Sequence, residues 1–311
     1  MINRPIILVT GADLAAPAVE ILNNYELIYA GKTPQEEDVI ALCQRFNPIG
    51  VIVRYGKFTA AMMDAAPALK VISKHGSGID TIDSVAAKQR NIQVVAAVGA
   101  NAAAVAEHAL SFLLACAKST IYLNERMHQG HWDKASFKTL ELNNKTIGLV
   151  GLGAIGQKFA KMCDTMGMHV IGYDPFANNA PSFIEAVDLN AIWSRSDAIS
   201  LHCPLTSDNK NIINKESLKL CKPGVIIINT ARGGLINEVD LLENLNSNHV
   251  AMAALDSFAI EPMSTPHPFH GHPKIILSPH IGGVTSDAYI NMGVGAARNL
   301  IQILSQAHST L

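Results

Sequence analysis

The 311-residue chain has no strong net charge, no paired cysteines and no long apolar run, and each absence removes a class of function. Lysine and arginine number 24 against 26 aspartates and glutamates, a formal charge of −2. Without a basic surplus there is no electrostatic footing for nucleic acid or an anionic membrane surface, although a few local cations can still hold a small anion. The five cysteines (Cys43, Cys116, Cys163, Cys203, Cys221) are scattered and never form a CxxC pair. That argues against a disulfide framework or a bound metal, and suits a reducing, cytoplasmic setting. The most apolar helix-like stretch, Ala102 to Ala117, is interrupted by Glu107, His108 and Ser111, too short and too polar to span a bilayer. MINRPIILVT has no cleavage-like segment behind it, so no signal peptide is expected. Neither a low-complexity tract nor a fixed-period repeat is present. What remains is a chain 49% hydrophobic and 16% charged, with core enough for two compact domains or one large one.

Short apolar runs alternate with helix-length amphipathic segments. IILVT (6–10), LIYA (27–30), GVIV (50–53) and KVIS (70–73) read as buried strands, with helices near 14–23, 35–45, 59–66 and 80–89. An alanine-rich helix over 101–127 and a polar stretch follow. A second series then runs through TIGLV (146–150), MHVIGY (168–173), DAISLH (197–202), GVIIIN (224–229), VAMAAL (250–255) and KIILS (274–278), before a last helix near 286–305. Strand alternating with helix predicts an α/β fold of two domains, each with a parallel sheet, and boundaries near 100 and 283.

Gly151-Leu-Gly153-Ala-Ile-Gly156 lies between the strand TIGLV and a helical pattern. In that context the first glycine makes the tight turn, the second lets a pyrophosphate approach the backbone, and the third lets helix and strand pack closely. The helix N-terminus adds free N–H groups and a positive dipole end. Asp174 ends the next strand, 18 residues past Gly156, where a carboxylate accepts both ribose hydroxyls and repels a 2′-phosphate. The Phe176-Ala-Asn-Asn that follows offers no cation to offset that repulsion. The cofactor expected is therefore NAD rather than NADP.

Three further segments sit where later strands should end: Asn229-Thr-Ala-Arg232-Gly-Gly, Asp256-Ser-Phe-Ala-Ile-Glu261-Pro and Ser278-Pro-His280-Ile-Gly-Gly. Reducing a 2-oxo acid leaves negative charge on the carbonyl oxygen, so a proton donor is needed nearby. Histidine is the residue type suited to giving and taking a proton near neutral pH, which makes His280 the candidate; Glu261 can orient its imidazole, and Arg232 can grip the substrate carboxylate or the polarised carbonyl.

These motifs, ARGG, D-x-x-x-x-EP and PHIGG downstream of GLGxIG and an acid, closely resemble the D-2-hydroxyacid dehydrogenase family over residues 50–300, in its phosphoglycerate dehydrogenase and hydroxypyruvate reductase-like branch. The resemblance implies two Rossmann-like domains, a substrate domain (1–99 and 284–311) split by an inserted NAD-binding domain (100–283). It implies Arg232 as substrate binder, Glu261 as histidine partner, His280 as acid and base, and D stereochemistry. By the same resemblance Ala154 and Ile155 meet pyrophosphate, while His202, Cys203, Pro204 and Thr206 line the adenosine side. Thr230, Ala231 and Asp256 meet the nicotinamide half, and Gly282 and Gly283 follow the histidine. Two positions depart from the pattern: Asn237 stands where aspartate is common, and Val284 where a smaller or polar residue is usual.

In the first domain His75-Gly76-Ser77-Gly78 follows a strand, and its glycines free a loop to turn N–H groups toward an anion. The family resemblance gives Ser77 and Gly78 the substrate carboxylate; a plain turn before a helix is the alternative. Arg54 and Lys57 end a neighbouring strand, an arrangement that resembles phosphoglycerate dehydrogenases, where a basic residue helps hold a phosphate; a solvated pair is the other reading. The chain ends at residue 311, so no regulatory domain is expected beyond it. The alanine-rich helix resembles one that links subunits, and a homodimer is expected, a monomer's hinge-side core helix being the alternative. The partner is a small anionic 2-hydroxy or 2-oxo acid, with hydroxypyruvate, glyoxylate, 3-phosphoglycerate and D-lactate-like substrates all open. A NAD-sensing corepressor of the same fold is the competing class.

Overall fold

The computed structural model describes residues 4–177 and 180–308, which form two compact units: Met1–Asn101 with Val284–Leu311, and Ala102–Gly283. The first unit opens with β1 (Ile6–Val9), α1 (Ala16–Ile21), β2 (Glu26–Tyr29), α2 (Glu36–Phe46), β3 (Gly50–Val53), α3 (Ala60–Asp64), β4 (Val71–Lys74), α4 (Ser84–Gln89) and β5 (Gln93–Ala96). Its sheet is parallel throughout, in the order β2-β1-β3-β4-β5. The central β3 is buried at all four positions, as its unbroken GVIV run requires in a sheet covered on both faces.

The second unit holds α5 (Ala102–Lys118), α6 (Thr120–His128), β6 (Thr146–Val150), α7 (Ala154–Thr165), β7 (His169–Tyr173), β8 (Ile184–Ala186), α8 (Leu189–Arg195), β9 (Ala198–Leu201), α9 (Lys215–Leu220), β10 (Val225–Asn229), α10 (Glu238–Asn246), β11 (Val250–Leu255) and β12 (Ile275–Leu277). Its seven parallel strands lie in the order β12-β11-β10-β9-β6-β7-β8. Numbered from β6 this is the doubly wound dinucleotide order with one strand added, and its direction of winding reverses between β6 and β9.

The single helix expected over 101–127 is two helices. Ser119, in the left-handed conformation at φ 49°, breaks it. Ala106 and Ala109 of the small face of α5 are buried within their own unit, in one cluster with Phe159, Ala160 and Cys163 of α7. The helix expected from residue 80 begins at Ser84, because the Asp83 carboxylate accepts from Ala86 N at 2.9 Å and caps it there. Asn237 caps α10 through Val239 N and Asp240 N, both at 3.2 Å, so asparagine serves there as well as aspartate would.

The chain then returns to the first unit as α11 (Ser286–His308). Ala296, Ala297, Leu300 and Leu304 complete the core begun by Ile7, Val9, Ile52 and Val71. Ser73 donates to Ala296 O at 2.9 Å, and Asn299 donates to Ala96 O at 2.8 Å. Burying Leu300 and Leu304 contributes roughly 3–6 kcal/mol to this unit. No helix among the described residues is long and apolar enough to cross a membrane.

Candidate active site

The glycine turn lies at the carboxyl end of β6, at the reversal of strand order. Gly151 has φ 101°, and a Cβ there would come 2.7 Å from the backbone of His202 and Cys203, so only glycine lets the turn lie against the end of β9. Gly156 faces the Gly151 carbonyl, 2.2 Å from where its own Cβ would be. Gly153 is the N-cap of the twelve-residue α7, has no side-chain cap, and faces open space. Asp174 directly follows β7 with both oxygens engaged: Leu152 N donates to one at 2.8 Å and Phe176 N to the other at 2.9 Å. The carboxylate is thereby tied to the glycine turn. Asn178 and Asn179 lie outside the described residues.

The segment after β9 turns inward at its start and outward at its end. His202 Nε2 pairs with Ser200 Oγ at 2.9 Å, its ring lies 5.1 Å from that of Phe159, and burial pushes its pKa down to about 3. Burial likewise raises the Cys203 thiol to about 11, which removes it as a nucleophile. Pro204 and Thr206 are exposed, and Asn209 pins the loop through Pro204 O and Thr206 N, both at 2.7 Å.

Three neighbouring strands deliver the remaining groups: Arg232 follows β10, Glu261 follows β11, and His280 follows β12. His280 Nδ1 lies 2.7 Å from Glu261 Oε2, and Phe258 N donates to Glu261 Oε1 at 2.9 Å. Held at both oxygens, the carboxylate fixes the imidazole from one side. Arg232 Nη1 donates to Ala231 O at 2.8 Å, and Asn229 ties the turn by accepting from Ala231 N and donating to Arg232 O. Gly233 brings that turn onto the glutamate segment, since a Cβ would stand 1.9 Å from Phe258 C.

Sequence reasoning missed the network beneath His280. Asp256, 1% exposed, accepts from Ile281 N at 2.9 Å, Gly282 N at 2.8 Å and the Ser278 hydroxyl. His108 of α5 reaches Ser278 Oγ at 3.0 Å. The buried carboxylate thus shapes the turn that presents His280 at φ 54°. For His108 the only sequence signal was that a histidine interrupts an apolar helix.

In the first unit Gly76, at φ 135°, shapes the loop after β4, and Ser77 donates to Asn101 Oδ1 at 3.0 Å. His75 is buried with Nε2 unpartnered, and burial followed by the Arg54 charge lowers it to about 4. The Arg54 guanidinium is engaged by Asp13.

The residues of the second unit fit a dinucleotide. A helix N-terminus without a side-chain cap opens on free space at Gly153, a carboxylate stands at the end of β7, and the buried Thr230 hydroxyl at the end of β10 has no partner among the described residues.

Residues 110–282 match the model for the D-isomer specific 2-hydroxyacid dehydrogenase, NAD binding domain. A hydroxypyruvate reductase of Thermotoga maritima is 36% identical over 286 residues, 91% of this chain and 93% of that protein. A D-3-phosphoglycerate dehydrogenase of Archaeoglobus fulgidus is 35% identical over 270 residues, 86% of this chain but 51% of the relative, so the chain spans about half that relative's length. Among solved structures, an acyclic imino acid reductase in complex with NADPH and D-Arg superposes with TM-score 0.87 at 28% identity, covering 97% of each chain. The strand order, the glycine turn and these matches agree, and the chain belongs to the D-isomer specific 2-hydroxyacid dehydrogenase family, with a nicotinamide cofactor.

Proposed function

We propose that the protein interconverts a small D-2-hydroxy acid and its 2-oxo acid, with NAD as hydride carrier and His280 as the acid and base. The observation that carries this reading is the 2.7 Å contact between His280 Nδ1 and Glu261 Oε2. A carboxylate accepts only when Nδ1 bears a proton, which leaves Nε2 to exchange its own. In reduction Nε2 gives that proton to the substrate's 2-oxygen as hydride reaches carbon 2, and oxidation reverses both transfers. Bound nicotinamide supplies or accepts the hydride. Arg232 grips the carboxylate or the polarised carbonyl with its planar fork. Ser77, Gly78 and Arg54 are further proposed substrate contacts.

For the cofactor, Gly151, Gly153, Ala154, Ile155 and Gly156 take the pyrophosphate and Asp174 the ribose hydroxyls, which favours NAD over NADP. His202, Cys203, Pro204 and Thr206 border the adenosine; Thr230, Ala231, Asp256, Gly282 and Gly283 border the nicotinamide. The names of the two relatives above frame the substrate range, from hydroxypyruvate to the 3-phosphoglycerate couple. A homodimer is supported by exposed apolar side chains along α5, α6 and the turn beyond: Leu114, Ile121, Met127 and Trp132.

The test is His280→Gln. Turnover should fall by about 10²–10⁴ with NADH affinity kept. Near-normal turnover would remove His280 from its role.

A further inference from the structure

In the first unit the strand order reverses between β1 and β3. Open parallel sheets take ligands beyond the carboxyl ends of their strands at such a reversal. Here that position is filled by the chain itself. Arg54, directly after β3, donates its backbone N–H to the hydroxyl oxygen of Thr10, directly after β1, at 3.0 Å. Its side chain passes over Gly11, where a Cβ would lie 2.9 Å from Arg54 Cδ. The guanidinium sits near the rings of Tyr55 (5.1 Å) and Tyr289 (5.0 Å), and Nη1 donates to both the backbone oxygen and the carboxylate of Asp13. Tyr289 also donates to Asp13, at 2.8 Å. The Arg54 side chain is 8% exposed and that of Asp13 66%, so the cation lies underneath and the carboxylate outermost.

We infer that Asp13 is a built-in anion on the Arg54 seat, a specificity-determining residue that turns away phosphorylated 2-oxo acids and admits those with a single carboxylate. An arginine fork takes a carboxylate or a phosphate, and this one already holds a carboxylate. A second anionic group must displace Asp13 or lie beside its charge. His75, neutral because burial holds its pKa near 4, adds no compensating cation. Lys74 is turned to Arg54 O and Thr81 Oγ1, each at 3.3 Å. Lys32 is the other cation whose charge acts on Asp13. The inference rests on the proposed reduction of 2-oxo acids.

The experiment compares wild type with Asp13→Asn in NADH oxidation driven by hydroxypyruvate and by 3-phosphohydroxypyruvate. In parallel, inorganic phosphate is titrated against the melting temperature of both proteins and of Asp13→Asn/Arg54→Gln. Wild type should favour the unphosphorylated acid. Asp13→Asn should shift the kcat/KM ratio toward the phosphorylated acid by about 10-fold or more, through KM. Phosphate should stabilise Asp13→Asn but neither wild type nor the double variant. A wild-type preference for the phosphorylated acid, or an equal effect of Asp13→Asn on both acids, overturns the inference. Should wild type reduce no 2-oxo acid at all, the proposed function fails instead, and the phosphate titration alone decides the seat: equal responses in all three proteins reject it.

Discussion

Gly233→Ala tests whether the arginine and glutamate turns act as one piece. The added Cβ would stand 1.9 Å from Phe258 C, 2.0 Å from Phe258 O and 2.4 Å from Ala259 N. Carbon atoms pack at about 3.5 Å, so the two segments must part by roughly 1.5 Å. Neither side is a flexible tip, because both are backbone. One side carries Arg232 and the other carries the Phe258 N–H that holds Glu261. Overpacking of this kind costs about 1–3 kcal/mol, which in a unit of this size lowers the melting temperature by roughly 2–10 °C and leaves it folded. Misplacing catalytic groups by about 1 Å costs about 100-fold in rate, and that is the loss of kcat/KM expected. NADH affinity should fall by much less than kcat/KM, because the glycine turn that takes the pyrophosphate follows β6, two strands away from β10, and only the nicotinamide side of the cofactor lies near the change. Gly234→Ala is the control. Its Cβ would meet only the side chain of Leu205, at 2.7 Å, which can swing aside, so a loss below 10-fold is expected. Steady-state NADH oxidation, fluorescence titration of NADH and thermal melts read all three quantities. Equal activity and stability in Gly233→Ala and wild type would refute the coupling.

Asp174→Ser should lower the preference for NADH over NADPH by about 10-fold or more, measured as the ratio of kcat/KM, since a charged acceptor is lost and a repulsion removed; an unchanged ratio would clear Asp174 of discrimination. His75, held near 4 against its ordinary 6.5, stays neutral in the folded chain while the unfolded chain takes up a proton. Its contribution is therefore complete above pH 6.5 and lost as the pH falls toward 4, a drop of roughly 3 kcal/mol. Denaturant titrations across that range should show the slope, and His75→Phe should flatten it. Light scattering should return twice the chain mass; a monomer at micromolar concentration would leave the exposed Leu114, Ile121, Met127 and Trp132 without the role given to them.

The strands were legible where burial on both faces made the apolar run continuous, as in GVIV, AISL and VIIIN. Two of the four edge strands were not: β5 is half-buried and polar at its first residue, and β8 is three residues long. The helices α8, α9 and α10 escaped as well, although Asp188, Asn214 and Asn237 each cap one by accepting backbone N–H groups. The left-handed Ser119 carries no glycine or proline to announce it. In the site, the approach of His280 to Glu261 was foreseeable from motif order, because each ends a strand and those strands are neighbours. The Asp256–Ser278–His108 network joins residues up to 170 positions apart, and the Asp13–Arg54–Tyr289 cluster up to 276 apart. Pairings so distant leave no local pattern to read.

The return of α11 to the first unit has a bearing on synthesis. A chain emerging from the ribosome presents Ile7, Val9, Ile52 and Val71 long before Leu300 and Leu304 exist to cover them. The segment 102–283 has all its strands in hand first. The part translated earliest is thus the part that must wait longest for its covering helix, exposing an apolar sheet face in the interval for a chaperone to shield.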